Sequence, residues 1–198
     1  DVASRWWITR SGTDTAPVTL QVVGRHNVGN ALSAAAAAMA AGLSIADVAA
    51  GLSGAVTRSA WRMALMERTD GALVLNDAYN ANPDSMAAAL RATIDIVAAQ
   101  RAANPRAKAV AILGDMLELG EGAEELHRQT GELARESGAL LITTGKLSEN
   151  MGGLHFADKR SLIAALPDIL QRGDKVLVKA SHSQAFEEIS ETLKELQL

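Results

Sequence analysis

Short apolar runs alternate with helical segments through residues 61–198, and this alternation constrains the fold more than any other feature of the sequence. The runs start near residues 73, 109, 140 and 176, and a helical pattern lies between each pair. A crossover helix between strands of one sheet implies parallel pairing. The runs are apolar throughout, which is typical of strands covered by helices on both faces. We therefore predict an α/β domain over residues 61–198, with a mostly parallel sheet and flanking helices.

Turn and cap residues set the predicted limits of these elements. Thr69-Asp70-Gly71 predicts a hairpin turn between two strands. Asn82 and Pro83 are typical of a helix start, with Asn as the N-cap and Pro at the first helical position. We predict helices over residues 83–100, 121–137, 161–171 and 183–196.

Residues 1–55 form a separate predicted part. Two β-prone runs, residues 6–9 and 18–23, precede an alanine-rich helix over residues 31–41, which Gly42 ends. Ser44 then caps a short second helix. Residues 55–60 have the composition of a linker, so we place a domain boundary there.

Composition excludes several classes of function. The 198 residues include no cysteine, which rules out disulfides, thiolate zinc sites and cysteine nucleophiles. The net charge of −4 gives no basic surface for nucleic acid. No apolar stretch is long enough to predict a membrane-spanning helix. Because the chain starts at Asp1 and runs almost directly into a strand, we expect it to be part of a longer protein.

Polar residues gather where the predicted strands end. In an open α/β sheet, ligands bind outside the carboxyl ends of the strands. Residues 76–84 contain three Asn, two Asp and the single Tyr of the chain, more polar groups than one turn needs. The other strand ends carry Asp115, Lys146 and the segment 179–182. Helix caps and ordinary polar turns explain any one of these residues equally well.

Common catalytic motifs are absent. The sequence has no phosphate-binding G-x-x-x-x-G-K-[ST] loop, no G-x-G-x-x-G after a strand and no H-E-x-x-H. His127 lies in an amphipathic helical segment, where packing or surface exposure explains it. The glutamates near residues 118–125 are most simply a solvated helix start.

Four strings, taken in order, resemble the Mur ligases. They are G-R-H-N-V-G-N-A-L at residues 24–32, N-D-A-Y-N-A-N-P-D-S-M at 76–86, I-L-G-D-M-L-E-L-G at 112–120 and V-K-A-S at 178–181. The second and third strings are similar to the branch that adds D-alanyl-D-alanine to UDP-N-acetylmuramoyl-tripeptide. The resemblance covers nearly the whole chain from about residue 18.

This resemblance implies a domain organisation and an activity. Mur ligases have a UDP-sugar domain, a central ATPase domain with a phosphate-binding loop, and a Rossmann-like C-terminal domain. Residues 1–55 would be the end of the central domain, and residues 61–198 the whole C-terminal domain. The implied cofactors are ATP and Mg²⁺, with the Mg²⁺ ligands largely in the part of the central domain that this chain lacks. The implied reaction is ATP-dependent amide formation through an acyl phosphate, in peptidoglycan synthesis.

The same resemblance implies partners and location. The partners are ATP, UDP-N-acetylmuramoyl-tripeptide and D-alanyl-D-alanine, without nucleic acid or membrane insertion. The enzyme would be a cytoplasmic monomer. Since the phosphate-binding loop is missing, we do not expect these 198 residues to catalyse the reaction alone.

Site residues follow from the resemblance position by position. Asn27 and Asn30 match residues that contact adenine, and His26 adjoins them. Arg62 matches the catalytic arginine that reaches the γ-phosphate, although Trp61 stands where the family usually has glycine. Asp77 matches the acid that holds the ribose hydroxyls.

Further matches concern the same loop and the substrate. Tyr79 and Asn80 line the loop of Asp77. Asn82, Lys179 and Ser181 would face the substrate, and Asn82 is equally explained as a helix cap. The last match departs from the family pattern, because Ala180 replaces glycine and His182 replaces the usual arginine.

Two other functions remain open from the sequence. One is a ligase of the same superfamily with another amino-acid substrate, such as the tripeptide-forming Mur ligase or folylpolyglutamate synthase. The other is a non-catalytic nucleotide-binding or interaction module, which the missing phosphate-binding loop suggests.

Overall fold

The structure is a computed structural model that describes residues 4–9, 14–22, 26–56, 61–68 and 70–196. The chain divides into two compact units, Asp1–Arg58 and Ser59–Leu198. This division falls within the predicted linker at residues 55–60. Assignment of the two units to particular ligase domains stays a prediction.

The first unit combines a two-stranded antiparallel sheet with two helices. Its elements are β1 (Ser4–Thr9), β2 (Thr15–Leu20), α1 (His26–Ala40) and α2 (Ile45–Ser53). Ser44 caps α2 as predicted, because its hydroxyl oxygen accepts the backbone N–H of Asp47 at 3.1 Å. Helix α1 begins before the alanine run, at His26.

The second unit contains a six-stranded sheet. Its strands are β3 (Ala64–Glu67), β4 (Leu73–Asn76), β5 (Ala109–Leu113), β6 (Leu140–Thr144), β7 (Leu154–Phe156) and β8 (Lys175–Lys179). They lie in the order β3-β4-β8-β5-β6-β7. Only the β3–β4 hairpin is antiparallel among these pairs, so the predicted mostly parallel sheet is confirmed.

Helices cover this sheet. They are α3 (Pro83–Gln100), α4 (Ala123–Glu136), α5 (Lys159–Ile169) and α6 (Glu187–Glu195). Helices α5 and α6 pack Leu162, Leu166 and Ile189 into one core with side chains of the central strands such as Val110 and Val178. In the β3–β4 hairpin, the carboxylate of Asp70 accepts the backbone N–H of Ala72 at 3.0 Å, and this bond stabilises the predicted turn.

Besides the earlier start of α1, the sequence prediction is wrong in two places in the second unit. Strand β7 was not predicted, because it is a three-residue edge strand whose first two residues are exposed. The last helix begins at Glu187 and not at residue 183. A 3₁₀ turn, His182–Gln184, precedes it, and Ala185 adopts a left-handed conformation with φ +49° that interrupts the helix.

Glycine at position 131 is required by close packing. A Cβ atom there would lie 1.9 Å from the carbonyl oxygen of Met151. Helix α4 therefore packs directly on the 3₁₀ turn Ser148–Met151.

In the described part of the chain, every helix is too short or too polar to cross a membrane.

Candidate functional site

The sheet order brings three strand ends together. Strand β8 lies between β4 and β5, which follow one another in the chain. The loops after these three strands therefore meet at one edge of the sheet, where ligands bind in folds of this kind. The loops carry Asp77 after β4, Asp115 after β5 and Ser181 after β8.

Asp77 connects two of these loops with the turn before β3. One carboxylate oxygen, Oδ1, accepts the backbone N–H of Met63 at 3.0 Å. The other, Oδ2, accepts a hydrogen bond from Nζ of Lys179 at 2.5 Å. The Lys179 ammonium also donates to the carbonyl of Asn80 at 2.6 Å. The carboxylate of Asp77 therefore holds the turn before β3 through Met63 and the end of β8 through Lys179.

Lys179 is buried. It is 1% exposed, and the side chain of Asp77 is 13% exposed. Burial lowers the pKa of Lys179, while the charge and hydrogen bond of Asp77 oppose that shift. The sequence places Lys179 toward the substrate, whereas the structure turns its ammonium inward to Asp77 and Asn80. A direct contact of this side chain with substrate stays a prediction that this geometry does not favour.

Arg62 projects from the turn that Asp77 holds. Met63 adopts a left-handed conformation with φ +48°, and its N–H is the group bound by Asp77. The carbonyl of Trp61 accepts the N–H of Tyr79 at 3.1 Å. The guanidinium carbon of Arg62 lies 4.1 Å from the centre of the Tyr79 ring, a cation–π geometry. Arg62, Asp77 and Tyr79 are therefore adjacent.

Trp61 and His182, two of the residues at which the sequence departs from the family pattern beside the site, contact each other here. The rings of Trp61 and His182 stack with centres 5.4 Å apart. His182 also stacks with Tyr79 at 5.6 Å. The sequence contains no local signal for these contacts, because the three rings come from separate loops.

The asparagines of the Asp77 loop have structural partners. The side-chain oxygen of Asn82 accepts the N–H of Ser85 at 2.8 Å, and the Ser85 hydroxyl accepts the N–H of Asn82. This reciprocal capping box begins α3. The side-chain oxygen of Asn80 accepts the N–H of Ala81 at 2.9 Å. Asn80 and Asn82 are exposed, so their amides also face solvent.

Ser181 belongs to the neighbouring part of the site. Its hydroxyl oxygen accepts the N–H of Leu117 at 2.9 Å, and its N–H donates to the carbonyl of Asp115. The residue is 8% exposed. Its side chain therefore ties the β5 loop to the β8 loop, and contact with substrate stays a prediction.

Asp115 organises a third loop and is absent from the predicted site residues. Its carboxylate accepts the backbone N–H groups of Leu147 and Ser148 at 3.0 and 2.7 Å, and the side-chain amide of Gln184 at 3.0 Å. A Cβ on Gly145 would lie 2.4 Å from this carboxylate, which explains the glycine. The signal in the sequence was the position of Asp115 directly after a strand.

The predicted adenine residues lie in the first unit. Asn27 and Asn30 are in the first turns of α1, and the side-chain amide of Asn30 donates to the side-chain oxygen of Asn27 at 3.1 Å. His26 is the first residue of α1, and its side chain is outside the described residues.

His127 is a buried packing residue. Its Nε2 accepts the N–H of Met116 at 2.9 Å, so Nδ1 carries the proton that points at the carbonyl of Ala123 at 2.6 Å. Among the residues that the structure describes, no group of three His, Asp or Glu side chains lies close enough to hold a metal ion.

Similar proteins point to one family of enzymes. A relative from Escherichia coli (strain K12) named UDP-N-acetylmuramoyl-tripeptide–D-alanyl-D-alanine ligase is 35% identical over 191 residues, covering 92% of this chain and 40% of its own length. A relative of the same name from Mycobacterium tuberculosis (strain CDC 1551 / Oshkosh) is 39% identical over 204 residues, covering 90% and 39%. The chain thus spans about 40% of the length of these relatives.

Solved structures share the fold. MurF from Acinetobacter baumannii superposes with a TM-score of 0.84 at 24% identity, covering 98% of this chain and 43% of that one. MurF from Thermotoga maritima in complex with ADP gives a TM-score of 0.76 at 20% identity, covering 98% and 46%. Residues 61–182 match the family described as Mur ligase, glutamate ligase domain. That match covers more than half of the sequence, and the chain therefore belongs to the Mur ligase family.

Proposed function

We propose that this chain is the C-terminal part of an ATP-dependent ligase that joins D-alanyl-D-alanine to UDP-N-acetylmuramoyl-tripeptide in peptidoglycan synthesis. The observation that carries the proposal is the cluster of Arg62, Tyr79 and Asp77 at the strand ends of the second unit. This cluster lies within the segment that matches the family. The name of the relatives supports the choice of substrates.

The proposed chemistry joins a carboxylate to an amine. The peptide carboxylate attacks the γ-phosphate of ATP, which breaks the bond to ADP and forms an acyl phosphate. The amine of the dipeptide then attacks the acyl carbon, and phosphate leaves from the tetrahedral intermediate. Such a reaction depends on positioning and charge neutralisation more than on a protein nucleophile. A site with an arginine, an acid and polar loops suits it.

Arg62 takes the central role in this proposal. Arg62 is exposed, and its guanidinium lies against the face of the Tyr79 ring, so it can approach a phosphate from that side. A planar guanidinium binds phosphate oxygens through two parallel hydrogen bonds. We propose that it neutralises charge on the γ-phosphate during transfer.

Asp77 and the loop after it would bind the ribose side of the nucleotide. Both carboxylate oxygens already accept a hydrogen bond, yet a carboxylate offers about four acceptor positions, and this one is partly exposed. A ribose hydroxyl can therefore donate to it without breaking either contact. Tyr79 and Asn80 flank that position. From the resemblance alone, we also propose that Asn27 and Asn30 contact the adenine, with His26 next to Asn27 in the sequence.

The remaining assignments rest on the resemblance. Asn82 and Ser181 border the site and would meet the incoming dipeptide. We also propose Mg²⁺ as a cofactor, with its ligands largely in the central domain of the ligase. We further propose a cytoplasmic monomer, and we expect the 198 residues alone to be inactive.

Arg62→Ala in the ligase encoded by the complete gene tests the proposal. Phosphate release that depends on D-alanyl-D-alanine should fall about 10³-fold, the lower range for arginines that contact a transferring phosphate. Arg91→Ala is the matched control, because Arg91 is exposed on α3 away from the strand ends. Unchanged turnover in Arg62→Ala would contradict the assigned role.

The same assay separates the alternative functions. Preference for diaminopimelate, lysine or glutamate over D-alanyl-D-alanine would identify another amino-acid ligase of the superfamily. A gene that starts near Asp1 and has no phosphate-binding loop upstream would instead identify a binding module. Substrate-dependent phosphate release by the 198 residues alone would contradict the proposed inactivity.

A further inference from the structure

Three rings from three loops form a stack beside Arg62. Trp61 precedes β3, Tyr79 follows β4, and His182 follows β8. The His182 ring contacts Trp61 at 5.4 Å and Tyr79 at 5.6 Å between ring centres, each with an interplanar angle of 29°. Both distances lie in the range of favourable offset stacking. His182 is therefore the member of the stack that contacts both other rings.

The orientation of the Tyr79 ring determines where the Arg62 guanidinium can lie. An exposed arginine side chain has many rotamers, and ordering them costs conformational entropy. The face of the Tyr79 ring restricts them, because the guanidinium carbon lies 4.1 Å from the ring centre. A ring that rotated freely would not hold the cation in one place.

Backbone contacts secure Trp61 and Tyr79 but not the Tyr79 ring itself. The N–H of Tyr79 donates to the carbonyl of Trp61, and the N–H of Met63 donates to Asp77. These bonds position the main chain on both sides of Arg62. Tyr79 is 39% exposed, so its ring depends on neighbouring side chains for a fixed orientation. His182 supplies such a neighbour from the β8 loop.

We infer that His182 is a positioning residue for Arg62. It orients the Tyr79 ring by stacking, and the ring in turn presents the guanidinium to the phosphate. This inference rests on the proposed function in one respect, the assignment of a phosphate as the group that Arg62 binds. The stack also couples the β8 loop to the turn before β3, so a change in either loop moves the guanidinium.

A spectroscopic experiment tests the stack without any substrate. Tyr79 is the single tyrosine of the chain, so labelling with 3-fluorotyrosine gives one ¹⁹F resonance. His182→Ala should shift that resonance, because a neighbouring ring current is lost. His155→Ala is the control, since His155 lies on β7 at the opposite edge of the sheet and contacts Thr143. A resonance that His182→Ala leaves unmoved would overturn the inference.

Kinetics of the complete ligase test the consequence for Arg62. His182→Ala should lower kcat/KM for ATP about threefold to tenfold, the effect of losing one aromatic contact. The KM for D-alanyl-D-alanine should not change. His182→Phe should restore most of the activity, because stacking needs a ring and not an imidazole.

The outcomes distinguish this inference from the proposed function. Unchanged kcat/KM for ATP in His182→Ala, or a change confined to the KM for the dipeptide, would overturn the positioning role. Failure of His182→Phe to restore activity would also overturn it, since it would show that the imidazole contacts a reactant. A wild-type ligase that does not use D-alanyl-D-alanine would contradict the proposed function alone, because the ¹⁹F resonance reports on the stack independently.

Discussion

The two units of this chain bury their apolar side chains to different extents. In the second unit, strands β4, β5 and β8 consist entirely of buried residues. In the first unit, β2 alternates between buried and exposed residues. Among the described side chains of α1, only that of Ala35 is buried. The central strands of the second unit are therefore covered on both faces, whereas β2 of the first unit is covered on one face, by a smaller core.

Two ion pairs of the second unit are buried. Arg68–Asp70 lies in the β3–β4 turn, and Lys179–Asp77 joins the ends of β8 and β4. A buried ion pair is tolerated only where surrounding structure supplies hydrogen bonds and excludes water. The second unit meets this condition. We therefore expect the second unit to fold without the first.

Separating the units should give the largest effect. We expect residues 59–198 alone to unfold cooperatively in urea, with a stability of about 5–15 kcal/mol that is usual for a domain of this kind. We expect residues 1–58 alone to show no cooperative transition, because so short a chain buries too little surface. Circular dichroism at increasing urea measures both, and the intact chain is the control. A cooperative transition for residues 1–58 would break the comparison.

Lys179→Met tests the buried charge of the second unit. The substitution removes the ammonium and leaves Asp77 and the Asn80 carbonyl without their shared donor. We expect a loss of about 3 kcal/mol in the free energy of unfolding, as for a buried pair that loses one partner. Urea denaturation measures the loss. Lys146→Met is the matched control, since Lys146 also follows a strand but is exposed, and it should change stability by less than about 0.5 kcal/mol.

A double variant makes the Lys179 result specific. Asp77→Asn combined with Lys179→Met removes both charges, so the combined loss should be smaller than the sum of the single losses. Additive losses would show that the two side chains do not interact.

The comparison also explains which features the sequence could predict. Local patterns predicted the parallel strands, the caps at Ser44 and Asn82, and the position of the linker, because each depends on neighbouring residues. The position of β8 between β4 and β5 depends on the whole sheet and has no local signal. The contacts of Asp77 with Lys179, and of His182 with Trp61 and Tyr79, follow from that order. Consequently the inward direction of Lys179 could not be predicted from the sequence.

Two elements lack a signal in the local sequence. Strand β7 is mostly exposed and lacks the apolar run that marks a buried strand. It forms by pairing with β6, and its own residues do not predict that pairing. The helix at the end of the chain begins late because Ala185 adopts a left-handed backbone, a conformation that alanine rarely takes and that composition does not reveal.

The two helix caps offer the finest comparison of the units. Ser44→Ala in the first unit and Asn82→Ala in the second each remove an oxygen that accepts an N–H in the first helical turn. Each should cost about 1 kcal/mol, the usual value for a cap. In urea denaturation of the intact chain, we expect Asn82→Ala to lower the transition midpoint of the second unit. We expect Ser44→Ala to lower only the midpoint of the first unit.

Asn82→Ser separates capping from substrate contact, because serine retains the cap and lacks the amide. If Asn82 acts only as a cap, Asn82→Ser should keep both the stability and the KM for D-alanyl-D-alanine of the complete ligase. Normal stability with a raised KM for the dipeptide would show that the amide contacts the substrate. A shift of the second unit's transition by Ser44→Ala would show that the units unfold together, and the difference in their cores would then not govern their stability.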